Sequence, residues 1–114
     1  MSLDLWNEIE EVTRLLDLSL AESQDRGARC VVAEAAYYGA KARTAFKLKS
    51  EGLSGTMIGL VIKGHEDVLP AMLEYHAAQV EYENAKEARN VYKKKLDTLR
   101  EQYAREWSQS GMRQ

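Results

Sequence analysis

Apolar residues recur at alternating intervals of three and four residues through the C-terminal half of the chain, from Val68 to Tyr103. Eleven positions follow this spacing, and only Arg89 among them is charged. An average spacing of 3.5 residues is typical of a helix that packs along another helix in a coiled coil. A helix of this length is not stable through intrinsic propensity alone. The pattern therefore predicts a long C-terminal helix with helical partners along most of its length.

The first half of this helix carries two apolar stripes. The first alternates alanine, which lets two helix axes approach closely, with tyrosine, which contributes a large ring. The second stripe includes Leu73, Val80 and Val91. We therefore expect the chain's own earlier helices to bury this half on two sides. The predicted close-packed seam consists of Ala71, Tyr75, Ala78, Tyr82 and Ala85.

Beyond Val91 only the first stripe continues. A single stripe with no second apolar face indicates a segment that projects from the body of the protein and pairs with another copy. This segment is the main reason to expect a homo-oligomer, either a dimer or a larger assembly. The predicted oligomer interface consists of Tyr92, Leu96, Leu99, Tyr103 and Trp107.

The N-terminal half has helical spacing as well, with a weak point at Gly27. Apolar residues lie at intervals of three and four before and after this glycine, which costs about 1 kcal/mol inside a helix. The spacing predicts helices over about residues 4–25 and 28–51. One continuous helix through Gly27 is the alternative. The small residues around the second stretch, such as Ala33 and Gly39, favour a helix that packs on more than one side.

The only clear connector is Gly52-Leu53-Ser54-Gly55. Gly52 suits the end of a helix, and Ser54 can cap a short helix over residues 56–63. A β-strand is the rival interpretation of that window, because it is rich in β-branched residues. The last helix is expected over residues 67–108. The fold class is therefore all-α: one domain over residues 1–114, as a helical hairpin or a small bundle of three or four helices with a long C-terminal coiled-coil helix.

Charge is unevenly distributed, although the net charge is only −2. Residues 1–25 contain seven acids and one base, whereas residues 26–63 contain seven bases and two acids. The basic stretch could contact a phosphate backbone. It could equally dock on the acidic first helix, within one chain or between chains. The candidate nucleic-acid contacts are Lys41, Arg43, Lys47, Lys49, Lys93, Lys94 and Lys95.

No pattern of catalytic or metal-binding residues is evident. The two histidines, His65 and His76, are eleven residues apart, which does not match the spacing of a helical metal site. The single Cys30 fits a reducing compartment. We therefore expect no enzyme activity, no cofactor and a cytoplasmic location. We expect no association with membranes, because no signal peptide or apolar stretch of about 20 residues is present.

Three segments of the chain resemble small helical proteins of phage and prophage early regions. They are Ala-Lys-Glu-Ala-Arg-Asn-Val-Tyr-Lys-Lys-Lys-Leu-Asp-Thr-Leu-Arg-Glu-Gln from Ala85, Arg-Glu-Trp-Ser from Arg105, and Ile-Lys-Gly-His-Glu-Asp from Ile62. The resemblance covers about residues 30–108 and transfers no functional site. It implies a role beside phage replication or recombination proteins. The function expected from the sequence is protein–protein interaction or a structural role. A nucleic-acid-binding accessory protein is the alternative.

Overall fold

The computed structural model describes residues 2–112, with side chains described over residues 3–109. This part of the chain contains no β-strand, so the all-α prediction is confirmed and the strand interpretation of residues 56–63 is wrong. The elements are helix α1 (Ser2–Ser50), helix α2 (Gly55–Val61), a 3₁₀ turn (Ile62–Gly64) and helix α3 (Leu69–Met112).

Helix α1 is continuous, where the sequence left one helix or two open. Gly27 lies within it and faces the ring of Tyr82. A Cβ atom at position 27 would lie 3.1 Å from Cε1 of Tyr82, which is closer than ordinary van der Waals contact. Because Gly27 has no side chain, the ring of Tyr82 can pack directly against α1 at this position. This packing offsets the low helix propensity of glycine.

The connector begins with a glycine-based helix cap. Gly52 has a φ of 95°, a conformation that glycine adopts without steric cost. Its N–H donates to the carbonyl of Lys49, and the N–H of Leu53 donates to the carbonyl of Leu48. This pair of bonds is the Schellman arrangement that satisfies the last carbonyls of a helix. It ends α1 one residue before the predicted boundary at residue 51.

Two local caps organise the chain between α1 and α3. The hydroxyl of Ser54 accepts a hydrogen bond from the N–H of Met57 at 3.2 Å, as expected of an N-cap serine. Nδ1 of His65 accepts a bond from the N–H of Asp67, and the carbonyl of His65 accepts from Val68 and Leu69. Helix α3 therefore begins at Leu69, two residues after the predicted start.

The described chain divides into two compact units. One comprises Met1–Gln24 with Asn84–Gln114, and the other comprises Asp25–Glu83. In the first unit, α1 and α3 share a buried cluster of aliphatic side chains, with the ring of Trp6 5.7 Å from that of Tyr103. The cluster consists of Leu5, Ile9, Val12, Leu96 and Leu99. The apolar stripe at the start of α1 thus meets the last part of the α3 stripe.

The second unit has its own core around the connector. Val68 is fully buried there, and the ring of Tyr37 from α1 stacks on the ring of Tyr75 from α3 at 5.7 Å. Partly buried Leu53, Ile58, Ala71 and Met72 pack against this core. The buried cluster consists of Tyr37, Leu48, Ile62 and Val68.

The burial of α3 differs from the prediction in its second stripe and in its C-terminal part. Leu73, Val80 and Val91 of the second stripe are exposed, so no other part of the described chain covers them. Leu96 is only 4% exposed, and Leu99 is also buried, because the N-terminal part of α1 lies against them. The prediction that Leu96 and Leu99 face another copy is therefore wrong, since their side chains belong to the chain's own core.

Candidate functional site

An uncovered apolar face extends along α1 within the second unit. Its large members, Val31, Val32, Tyr38 and Phe46, are all exposed; Val32 is 70% and Phe46 77% accessible. Small residues lie between them, and the side chains of the face itself are all uncharged. We call this surface the outer face of α1; it consists of Ala28, Val31, Val32, Ala35, Tyr38, Gly39, Ala42 and Phe46.

The outer face lies on the side of α1 opposite its buried residues, with Ala28 and Val32 at its edge towards α3. The buried residues of this part of α1 are Ala33, Tyr37, Ala40, Thr44 and Leu48, which recur at intervals of three and four. The residues of the outer face recur at the same intervals of three and four, on the opposite side of the helix. Seven-residue steps link Ala28, Ala35 and Ala42, and they also link Val32, Gly39 and Phe46. The outer face thus has the heptad repeat of a helix-packing seam.

Charged groups mark the ends and one edge of the outer face. The same seven-residue steps lead from Val32 back to Asp25 and from Ala42 on to Lys49. The carboxylate of Asp25 lies 3.0 Å from the guanidinium of Arg29. The guanidinium of Arg43 lies over Gly39, 3.1 Å from where a Cβ atom would stand. This long, exposed side chain can move aside at little cost.

An open groove of about 530 Å³ lies between α1 and α3 next to the outer face. Its floor consists of alanine and valine side chains, including Ala36 and Ala77, and acidic residues such as Glu74 and Glu81 stand at its rim. Val32 and Ala28 belong both to this groove and to the outer face. The apolar surface therefore continues from α1 towards α3. Because the groove is open, its shape suits the side chains of a packed helix better than an enclosed small-molecule ligand.

A part-buried hydrogen bond links α1 to α3 within this unit. The hydroxyl of Tyr75 donates to Oε2 of Glu34 at 2.9 Å and accepts from Nε2 of Gln79 at 2.9 Å. The hydrogen bond to Glu34, followed by burial, raises the pKa of Tyr75 to about 12. Tyr75 therefore stays neutral and keeps donating over the whole physiological pH range. Tyr75 and Tyr82 of the predicted seam contact α1 of the same chain.

The remaining seam positions Ala71, Ala78 and Ala85 are half-buried, as are Tyr92 and Tyr103 of the predicted interface. Trp107 is exposed, and the ring of Trp6 contacts Tyr103. Trp107 is the member of that predicted interface with the most accessible side chain.

The candidate nucleic-acid contacts divide between the two units. Lys41 lies over the rings of Tyr37 and Tyr38, at 5.1 and 5.6 Å from the ring centroids. Lys47 lies 3.5 Å from the carboxylate of Asp67. Arg43 and Lys49 are exposed on the last turns of α1. Exposed side chains also occur at Lys93, Lys94 and Lys95, which belong to the other unit.

Two specific features were absent from the part of the chain that the structure describes, a metal-ligand cluster and a membrane-spanning helix. Over this range, no three histidine, cysteine or acidic side chains come together in a way that could hold a metal ion. None of the helices there is both long and apolar enough to cross a lipid bilayer.

Comparison of the chain with protein-family models, with curated proteins and with solved structures found no match in any of the three. The resemblance to phage and prophage proteins therefore stays a prediction from sequence pattern.

The apolar positions of the outer face are visible in the sequence. The small residues around them predict a helix that packs on more than one side, but the stripes through Val31, Val32 and Phe46 are assigned to no site there. Hydrophobic periodicity identifies which residues share a helix face, but it does not tell whether the same chain or another one covers that face. Counting the heptad steps of Ala28, Ala35 and Ala42 would have identified a second seam.

Proposed function

We propose that this protein is a small helical interaction or structural protein that works as a homo-oligomer, and that the outer face of α1 is its self-association surface. The observation that carries the proposal is the exposure of an apolar heptad face over five helical turns of α1, from Ala28 to Phe46. Contiguous apolar surface of this kind marks interaction sites in water-soluble proteins.

Sedimentation velocity on the wild-type chain at tens of micromolar tests the proposal. We expect a species heavier than the 12.9 kDa monomer, with a weight-average mass that rises with concentration. A monomer throughout that range would contradict the proposal, because an apolar face of this extent would then stay in water.

A second candidate function, binding of nucleic acid, is favoured by the charge of the last part of α1. From Ala35 to Ser50 the helix contains four bases and no acid. A surface of this kind attracts phosphates independently of base sequence.

A mobility-shift assay with single-stranded and duplex DNA tests this candidate. At about 50 mM salt, where phosphate contacts are strongest, we expect a shifted complex. Replacing Arg43 and Lys47 by Gln should lower the slope of log affinity against log salt by about 1.4 for single strands. The matched control, Arg100 and Arg105 replaced by Gln, removes two exposed bases outside the candidate contacts and should leave the slope unchanged. No complex at low salt would rule out this function.

A further inference from the structure

We infer that the outer face of α1 pairs with the same face of a second copy in antiparallel orientation, about a two-fold axis at the level of Tyr37. This inference rests on the proposed self-association and adds its geometry. The heptad positions from Asp25 to Lys49 are symmetric about residue 37, so in this register every position finds a counterpart in the second copy. The α1 helix of a second copy therefore covers the outer face of the first.

Side-chain size supports the antiparallel register. It places Phe46 of one copy opposite Ala28 of the second copy, and Val32 opposite Ala42. At the centre, Ala35 meets Gly39 of the second copy. Each large residue thus enters a space left by a small one, which allows the two helix axes to approach at the short end of the usual 8–10 Å range. Arg43, which lies over Gly39 in the single chain, turns outward.

Charge at the two ends of the face supports the same orientation. Antiparallel pairing brings Asp25 of one copy to Lys49 of the second, and does so twice by symmetry. Arg29 remains beside Asp25 within its own chain. A parallel pair would instead set Asp25 against Asp25, Lys49 against Lys49 and Phe46 against Phe46. Side chains of the same charge would then face each other, and so would the two large Phe46 rings. The parallel arrangement is therefore disfavoured.

Disulfide trapping distinguishes the two orientations. In a Cys30→Ser background, chains carrying Val32→Cys are mixed with chains carrying Ala42→Cys, oxidised and analysed by intact mass. A disulfide requires Cα atoms about 4.4–6.8 Å apart. In the antiparallel register the two different cysteines are adjacent, while equal cysteines are displaced by ten residues, about 15 Å along the axis. We expect the mixed disulfide to dominate and each chain alone to cross-link poorly.

The alternative results separate the geometry from the proposed function. Cross-linking of each variant with itself would show parallel pairing and overturn the antiparallel inference, while self-association through the outer face would stand. An oligomer that forms no disulfide in the mixture would place the interface elsewhere and overturn both. If the reduced variants and the wild type all sediment as monomers, the proposed self-association itself is wrong.

A charge exchange gives an independent measurement. Asp25→Lys and Lys49→Glu should each weaken self-association by about tenfold, because each places like charges together at both ends of the antiparallel pair. The double variant restores opposite charges and should return to the wild-type dissociation constant. A double variant that is no tighter than the single ones would contradict the pairing of residues 25 and 49.

Discussion

Replacement of Leu96 by Ala is expected to lower the free energy of unfolding by about 2–5 kcal/mol. Leu96 is 4% exposed and belongs to the buried cluster with Leu5, Ile9, Val12 and Leu99. Removing its branched methyl groups loses the free energy gained by burying them. It also leaves a cavity between α1 and α3, which two packed helices cannot close completely. Urea unfolding followed by circular dichroism at one fixed protein concentration measures the change.

The matched control is Leu73→Ala, which makes the same chemical change in the same helix. Leu73 is 57% exposed, and substitutions at such positions usually change the free energy of unfolding by less than about 0.5 kcal/mol. A larger loss from Leu73→Ala than from Leu96→Ala would show that the second stripe of α3 is buried and the C-terminal stripe is not. That result would restore the burial expected from the sequence and contradict the core described above.

Local signals predicted the helices and most of their boundaries. Gly52 and Ser54 mark the end of α1 and the start of α2 because their effects depend on hydrogen bonds within a few residues. The same holds for the short helix before Gly64, which the structure divides into α2 and a 3₁₀ turn. Boundaries of this kind need no knowledge of distant contacts.

The assignment of faces failed because it depends on distant contacts. Leu96 carries the same local signal whether it meets Leu5 of its own chain or a residue of another copy. In the structure Leu96 belongs to the same buried cluster as Leu5 and Ile9 of α1. Gly27 itself is explained by Tyr82, which is 55 residues away in the sequence. Neither relationship can be obtained from periodicity alone.

Replacement of Ala35 by Glu is expected to abolish self-association. Ala35 is exposed at the middle of the outer face, and the antiparallel pair would enclose a carboxylate there in each copy. An uncompensated charge in a buried contact costs at least about 3 kcal/mol, which is more than a hundredfold in the dissociation constant. Glutamate is a good helix former, so the isolated chain should keep its fold and its helical circular dichroism spectrum.

Sedimentation equilibrium of the wild type, of Ala35→Glu and of Val80→Glu tests whether the protein associates through the outer face of α1. Val80 is an equally apolar residue, 59% exposed on α3 and outside the outer face. We expect an oligomer for the wild type and for Val80→Glu, and a folded monomer for Ala35→Glu over the same concentrations. An Ala35→Glu chain that assembles as tightly as the wild type would show that the outer face of α1 is not the surface through which this protein associates.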